Sequence, residues 1–202
     1  MSYYKLALEA ILKFGKQWPD RAQLYLSIAG SVNDNQMKSK KWLVDELADV
    51  LELREIKNPK ILLMAGWYGL VGDMMRTKLG AEVTKVDKEA LCEPIGREMY
   101  PKIKHKWGHM EEWDNFDFDV IVMPSCEHVA QEKLNAFLAK KKDDTIVVLQ
   151  SNNQWHHEDH INCKGSVHEF ANSVKLQIIK EGELEMNSGK DQSYRRFMIF
   201  GL

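Results

Sequence analysis

Ile61-Leu62-Leu63-Met64-Ala65-Gly66-Trp67-Tyr68-Gly69-Leu70-Val71-Gly72 is an unbroken apolar run that empties into a glycine-spaced turn. Successive apolar residues without polar alternation are what a strand buried on both faces requires. The glycines let the backbone turn tightly from strand into helix and let a ligand approach the main chain. Leu70, Met74, Met75 and Leu79 continue as a helix, and Gly80 sits where a C-cap glycine belongs. Val83 to Val86 reads as a second strand ending on Asp87, 21 residues after Gly66. An acid in that place accepts hydrogen bonds from ribose hydroxyls. The spacing is Gly-x-x-Gly-x-x-Gly rather than Gly-x-Gly-x-x-Gly, and Trp67 stands where a pyrophosphate site wants its second glycine. A cofactor without phosphates on the helix N-terminus fits this turn better.

Outward from this unit, strand and helix keep alternating. A helix is expected from about Lys88 to Met99, a weaker third strand over Ile103 to Trp107, and a fourth at Val120-Ile121-Val122-Met123. Gln131 to Ala139 follows as a helix, Ile146 to Leu149 as the fifth strand, and Ser166 to Ser173 as a further helix. Two strand-like segments then come in succession, Val174 to Lys180 and Arg195 to Phe200, joined by the turn-rich Asn187-Ser188-Gly189-Lys190-Asp191. The pattern predicts an α/β fold: a doubly wound, seven-stranded, mostly parallel sheet that ends in an antiparallel hairpin.

Residues 1–57 differ in rhythm and read as an N-terminal helical extension or lid on a Rossmann-like domain at 58–202. Tyr4, Leu8, Ile11 and Leu12 share one helix face, as do Leu43, Leu47, Val50 and Leu51. Trp18-Pro19-Asp20 and Ser31 to Asn35 supply turn and cap chemistry, and Asn58-Pro59 ends the last helix.

Bulk properties exclude several classes. With 202 residues, 44% hydrophobic and 29% charged, the chain can bury a full core, and disordered or fibrous classes drop out. A formal net charge of −2 draws it to neither nucleic acid nor membrane. The basic runs Lys38-Ser39-Lys40-Lys41 and Lys140-Lys141-Lys142 read as solvated helix faces or ends. Three dispersed cysteines form no disulfide framework, and no apolar run is long enough to span a bilayer, so a cytoplasmic protein is expected.

With these residues in view, the chain resembles the class I S-adenosylmethionine-dependent methyltransferases over roughly residues 58–202. The resemblance is carried by the glycine turn at Leu63 to Gly69, by Val86-Asp87, by Met123-Pro124-Ser125-Cys126 and by the closing hairpin. It implies S-adenosylmethionine as cofactor. The methionine end would fall on Gly66, Trp67 and Gly69, with Ala65 beside them. The ribose would fall on Asp87, with Lys88 beside it, the adenine on Gly108, His109 and Met110, and the sulfonium on Pro124, Ser125 and Cys126. Met64-Ala65 replaces the acid often found just before the turn, which leaves the amino acid end to other residues, the N-terminal helices among the candidates.

Glu127 and His128 are the candidate catalytic pair, since a nucleophilic acceptor can need a base whose pKa moves toward neutrality. Cys126 lies one residue too far from Pro124 for the Pro-Cys segment of pyrimidine C5 methyltransferases and reads as a buried or lining thiol. The run from Ser151 to Cys163 follows the fifth strand and should overhang the same sheet edge. From it Asn152, Asn153, His156 and His160 are candidate substrate contacts, with Gln36, Lys40 and Trp42 from the helical extension. His156 and His160 are four apart, as two ligands on one helix face would be, but no second ligand pair of fixed spacing accompanies them and no metal is assigned. The expected activity is methyl transfer to a small molecule or protein side chain, with nucleic acid not favoured. A nicotinamide-dependent oxidoreductase, a metal-dependent hydrolase using the histidine-rich loop, and a non-catalytic S-adenosylmethionine-binding protein are the alternatives.

Overall fold

A computed structural model describes residues 2–187 and 193–202. Three helices open the chain, α1 (Tyr3–Gln17), α2 (Ala22–Gly30) and α3 (Asp34–Leu53). The sheet domain follows as β1 (Lys60–Met64), α4 (Leu70–Leu79), β2 (Glu82–Asp87), α5 (Cys92–Met99), β3 (Lys104–Trp107) and β4 (Val120–Met123). It closes with α6 (Gln131–Leu138), β5 (Ile146–Asn152), α7 (Val167–Asn172), β6 (Ile178–Asn187) and β7 (Ser193–Gly201). The sheet is seven-stranded in the order β3-β2-β1-β4-β5-β7-β6. Strands β1 to β5 pair in parallel, while β7 runs antiparallel between β5 and β6. The chain winds outward from β1 to β3 and then returns to lay β4 beside β1. Such a reversal opens a crevice at the strands' carboxyl ends, where ligands of open α/β sheets bind.

Alternation along the central strands feeds two cores. Ile61 and Leu63 of β1 join Leu43, Leu47, Val122 and Phe200 in one cluster, whereas Leu62 and Met64 join Ile121, Leu134, Phe137 and Phe170 in the other. The helical extension is thus packed into the first cluster. In α1 the inward side is the one bearing Ala7, Ala10 and Phe14; of the face picked out by sequence, Ile11 packs on this cluster, while Tyr4, Leu8 and Leu12 are 50%, 56% and 60% exposed.

Three boundaries differ from expectation. β5 runs on to Asn152 because Gln150, Ser151 and Asn152 find backbone partners in Met198, Phe197 and Arg196 of β7. The first hairpin strand starts at Ile178 rather than Val174 and continues to Asn187. Its alternating Glu181, Glu183 and Glu185 hide the strand signal and suit an edge that must not recruit another strand. Helix α5 begins at Cys92 rather than Lys88, since Glu89 N–H is engaged by the Asp87 side chain. The hairpin turn expected at Ser188 to Asp191 lies outside the described residues.

Since α3 and the sheet share one buried cluster, Leu47→Ala is expected to cost about 2–5 kcal/mol. It should lower the midpoint of a single calorimetric unfolding transition. A separate early transition for the N-terminal helices would contradict a shared core.

Candidate active site

The glycine turn after β1 is held in an unusual backbone conformation. Ala65 and Trp67 both have φ of 51°, and Gly69, at the start of α4, has φ of 108°. Left-handed non-glycine residues cost of order 1 kcal/mol or more each and persist only where neighbours hold them. Asp87 does this: its Oδ2 accepts the Trp67 N–H at 2.7 Å and its Oδ1 accepts the Glu89 N–H at 3.1 Å. Gly66 is demanded by packing, because a Cβ there would lie 2.6 Å from Lys85 Cγ and 2.8 Å from Leu63 Cδ2. Burial pushes the Asp87 carboxyl up, and its two backbone N–H partners pull the other way.

The aromatic pair inside the turn is the seat of α2. Trp67 and Tyr68 stack with centroids 5.5 Å apart. Ser27 of α2 takes the Trp67 indole N–H at 3.3 Å and lies 2.9 Å from the Tyr68 hydroxyl. Ser27 was not among the sequence candidates; nothing in a helix's single serine signals such a contact. Beyond Asp87, Lys88 is exposed and its carbonyl accepts the Trp107 indole N–H. Gly108 N–H donates to the Asp87 carbonyl at 3.0 Å, which ties the segment after β3 to the end of β2. His109 is exposed there, and Met110 packs onto the second core.

After β4 the chain makes a 3-10 turn at Cys126–His128. Cys126 is fully buried, and burial pushes its thiol far up. Ser125 is half-buried, and its carbonyl accepts the His128 N–H. Glu127 is only 2% exposed. Its Oε1 accepts from Asn152 Nδ2 at 2.9 Å and from Arg196 Nη1 at 3.0 Å, while the guanidinium also donates to the Pro124 carbonyl. Two atoms here are buried without a hydrogen-bond partner among the described residues, Glu127 Oε2 and Arg196 Nε. Arg196 was missed by sequence reading, yet the signal exists: it shares the i, i+2 register of the inward Met198 and Phe200.

The loop after β5 folds back over this turn. Asn162 N–H donates to the Glu127 carbonyl at 3.0 Å, and Asn162 Nδ2 donates to the Val129 carbonyl at 2.9 Å. Asn153 is consumed by β7, exchanging bonds with the Arg195 backbone. The loop is not helical, so His156 and His160 are not stacked on one face. His160 instead meets His128, with ring centroids 4.7 Å apart, while His156 is exposed and packs on His157.

From the extension, Lys40 reaches the same place, its Nζ 3.5 Å from the Pro124 carbonyl. The Gln36 backbone N–H is taken by the Asn33 side chain at the N-cap of α3, and Trp42 lies over Gly182 of β6, away from the strand ends. The structure therefore gathers Lys40, Pro124, Glu127, Asn152, His128 and His160 with Arg196, and leaves Trp42, Asn153 and His156 aside.

Burial lowers the Lys40 amine to about 7, with the Arg196 charge adding to the shift and Glu127 opposing it. Between the ordinary value of 10.5 and about 7 the unfolded chain takes up a proton that the folded chain refuses. Stability therefore falls as pH drops through that window and levels off below it. Lys40→Met is expected to raise Tm near neutral pH by at least ~3 °C, the effect of about 1 kcal/mol in a chain of this size. The gain over wild type should shrink as pH rises from about 7 toward 10.5, because giving up the proton costs about 1.4 kcal/mol less with each pH unit. A gain independent of pH, followed by calorimetry, would contradict the buried amine.

No family model matches the chain, and no curated protein matches its sequence. Solved structures do match it in shape. The plantazolicin methyltransferase BpumL, in complex with a triazolic desmethylPZN analog and SAH, is similar with a TM-score of 0.65 at 11% identity, over 99% of this chain and 98% of that one. The N-methyltransferase NodS of Bradyrhizobium japonicum gives 0.64 at 10% identity, over 85% of this chain and 98% of that one. A TehB-like SAM-dependent methyltransferase of Corynebacterium glutamicum gives 0.61 at 18% identity, over 93% and 99%. With a seven-stranded, mostly parallel sheet closed by an antiparallel hairpin, the chain has the fold of the class I S-adenosylmethionine-dependent methyltransferases.

Proposed function

We propose that this chain binds S-adenosylmethionine at the carboxyl ends of β1, β2 and β4 and moves its methyl group to a small molecule or a protein side chain. The observation that carries this reading is Asp87. Its carboxylate is buried at the end of β2 and spends one lone pair per oxygen on the backbone, which leaves one on each for vicinal ribose hydroxyls. The residues fit this cofactor better than a dinucleotide, because Trp67 fills the place a pyrophosphate would need. That BpumL is crystallised with SAH supports the same cofactor here.

When bound, the sulfonium supplies an already activated methyl group, so positioning carries much of the catalysis. On the acceptor side, Arg196 and Asn152 fix Glu127 by its Oε1, and the partnerless Oε2 remains to take a hydrogen bond or a proton. His128, beside it on the rim, is the second group able to take a proton. Helix α2, seated on Trp67 and Tyr68 through Ser27, keeps water from the glycine turn.

A formal charge of −2 gives no field toward nucleic acid. No helix among the described residues is long and apolar enough to cross a membrane. The free, buried Cys92, Cys126 and Cys163 suit a reducing compartment such as the cytoplasm.

Titration calorimetry with S-adenosylmethionine, S-adenosylhomocysteine and NAD(H) tests the reading. The first two are expected to bind saturably and one to one. Asp87→Asn should weaken them at least about tenfold, the worth of one charge-assisted hydrogen bond. Binding of NAD(H) alone, or an Asp87→Asn variant with unchanged affinity, would overturn it.

A further inference from the structure

The turn after β4 and the loop after β5 bring three side chains of metal-ligand type together. Glu127, His128 and His160 each offer one ligand atom, and these atoms lie within 4.8 Å of one another. We propose that they hold a divalent metal ion of the kind imidazole favours, such as Zn2+, Co2+ or Fe2+, with coordination positions left open for water or a ligand.

The arrangement of hydrogen bonds argues for this assignment. Glu127 is buried, its Oε1 is taken by Asn152 and Arg196, and its Oε2 has no partner among the described residues. A buried carboxylate oxygen left without a donor is a rare and costly arrangement, and a bound cation removes the cost. His160 Nδ1 faces the Gln154 carbonyl at 3.0 Å, and His128 Nδ1 faces the Asp159 carbonyl at 3.1 Å. A carbonyl only accepts hydrogen bonds, so each ring, when neutral, donates from Nδ1 and offers an ion the lone pair on Nε2. Metal-binding histidines are oriented in this way. Asn162 pins the loop to the turn by bonding the Glu127 and Val129 carbonyls.

Bonds of about 2.1 Å in tetrahedral geometry set ligand atoms about 3.4 Å apart, so the cluster has to draw in by roughly an ångström. The His128 side chain, 38% exposed, has the freedom to do so. Two imidazoles and one carboxylate select borderline metals over Mg2+ or Ca2+. The sequence pairs His160 with His156, four residues away; the fold replaces that partner with Glu127-His128. The site shares Glu127 and His128 with the acceptor side of the reading above, so with the ion bound both serve as ligands rather than as proton acceptors. Its use rests on that reading: beside the segment after β4, the ion would act as a Lewis acid on an acceptor hydroxyl and ease loss of its proton to solvent.

Chelator-treated protein titrated with Co2+, followed by visible d–d absorption and by Zn2+ displacement in calorimetry, tests the site without S-adenosylmethionine. One equivalent is expected to bind and raise Tm. His128→Ala and His160→Ala should each weaken binding at least about tenfold, with no Tm gain from metal, while His156→Ala keeps the Co2+ spectrum. Absence of saturable Co2+ absorption and of Zn2+ binding would overturn the proposal. So would binding that survives His160→Ala and is lost in His156→Ala. Since the readout contains no cofactor, failure of the methyl-transfer reading leaves its outcome unaffected.

Discussion

The buried ion pair between Glu127 and Arg196, 3.0 Å apart, is the constraint on which the site depends. Both side chains are almost wholly out of water, at 3% and 7% exposure, so the pair begins with a desolvation penalty of several kcal/mol. Coulomb attraction offsets that penalty only where the remaining donors and acceptors are also matched. Asn152 and the Pro124 carbonyl do much of this matching, and together with the pair they join the ends of β4, β5 and β7. Lys40 adds α3 to the same junction. What remains unmatched, Glu127 Oε2 and Arg196 Nε, marks where a ligand could complete the network.

Seen from that pair, the antiparallel β7 is part of the site as well as of the sheet. Pairing Asn152 with Arg196 across β5 and β7 sets the guanidinium above the crevice. A one-residue slip would turn Arg196 to the opposite face and put Phe197 in its place. Ser39 of α3 bonds Gln150 of β5, and Met198 and Phe200 of the nine-residue β7 join Leu43 and Leu47 of α3 in one core cluster. The extension thus reaches the Glu127–Arg196 junction through α3 and the glycine turn through α2.

Much of the sheet was legible because buried parallel strands leave unbroken apolar runs. Val120 to Met123 and the helix at Leu70 to Leu79 fall where the pattern puts them. Polar burial was harder to read. Gln150 to Asn152 look like loop residues until β7 supplies their partners, and the glutamates of β6 disguise an edge strand. At the site, Asp87 and Glu127 could be named from their places after strands. The partnership of His128 with His160 depends on how a long loop folds back, which spacing along the chain does not encode. Lys40 was legible as a polar residue to watch on the extension, although its burial at the Pro124 carbonyl was not. Trp67 looked like an obstruction in a glycine turn; in the structure it is the surface on which α2 rests.

A crystal structure of the chain with S-adenosylhomocysteine tests the central claim most directly. The account predicts the ribose hydroxyls within hydrogen-bond distance of Asp87, with the ligand's sulfur end toward Pro124 and Glu127. Ligand bound elsewhere, or Asp87 still occupied only by the Trp67 and Glu89 amides in a saturated crystal, would contradict it.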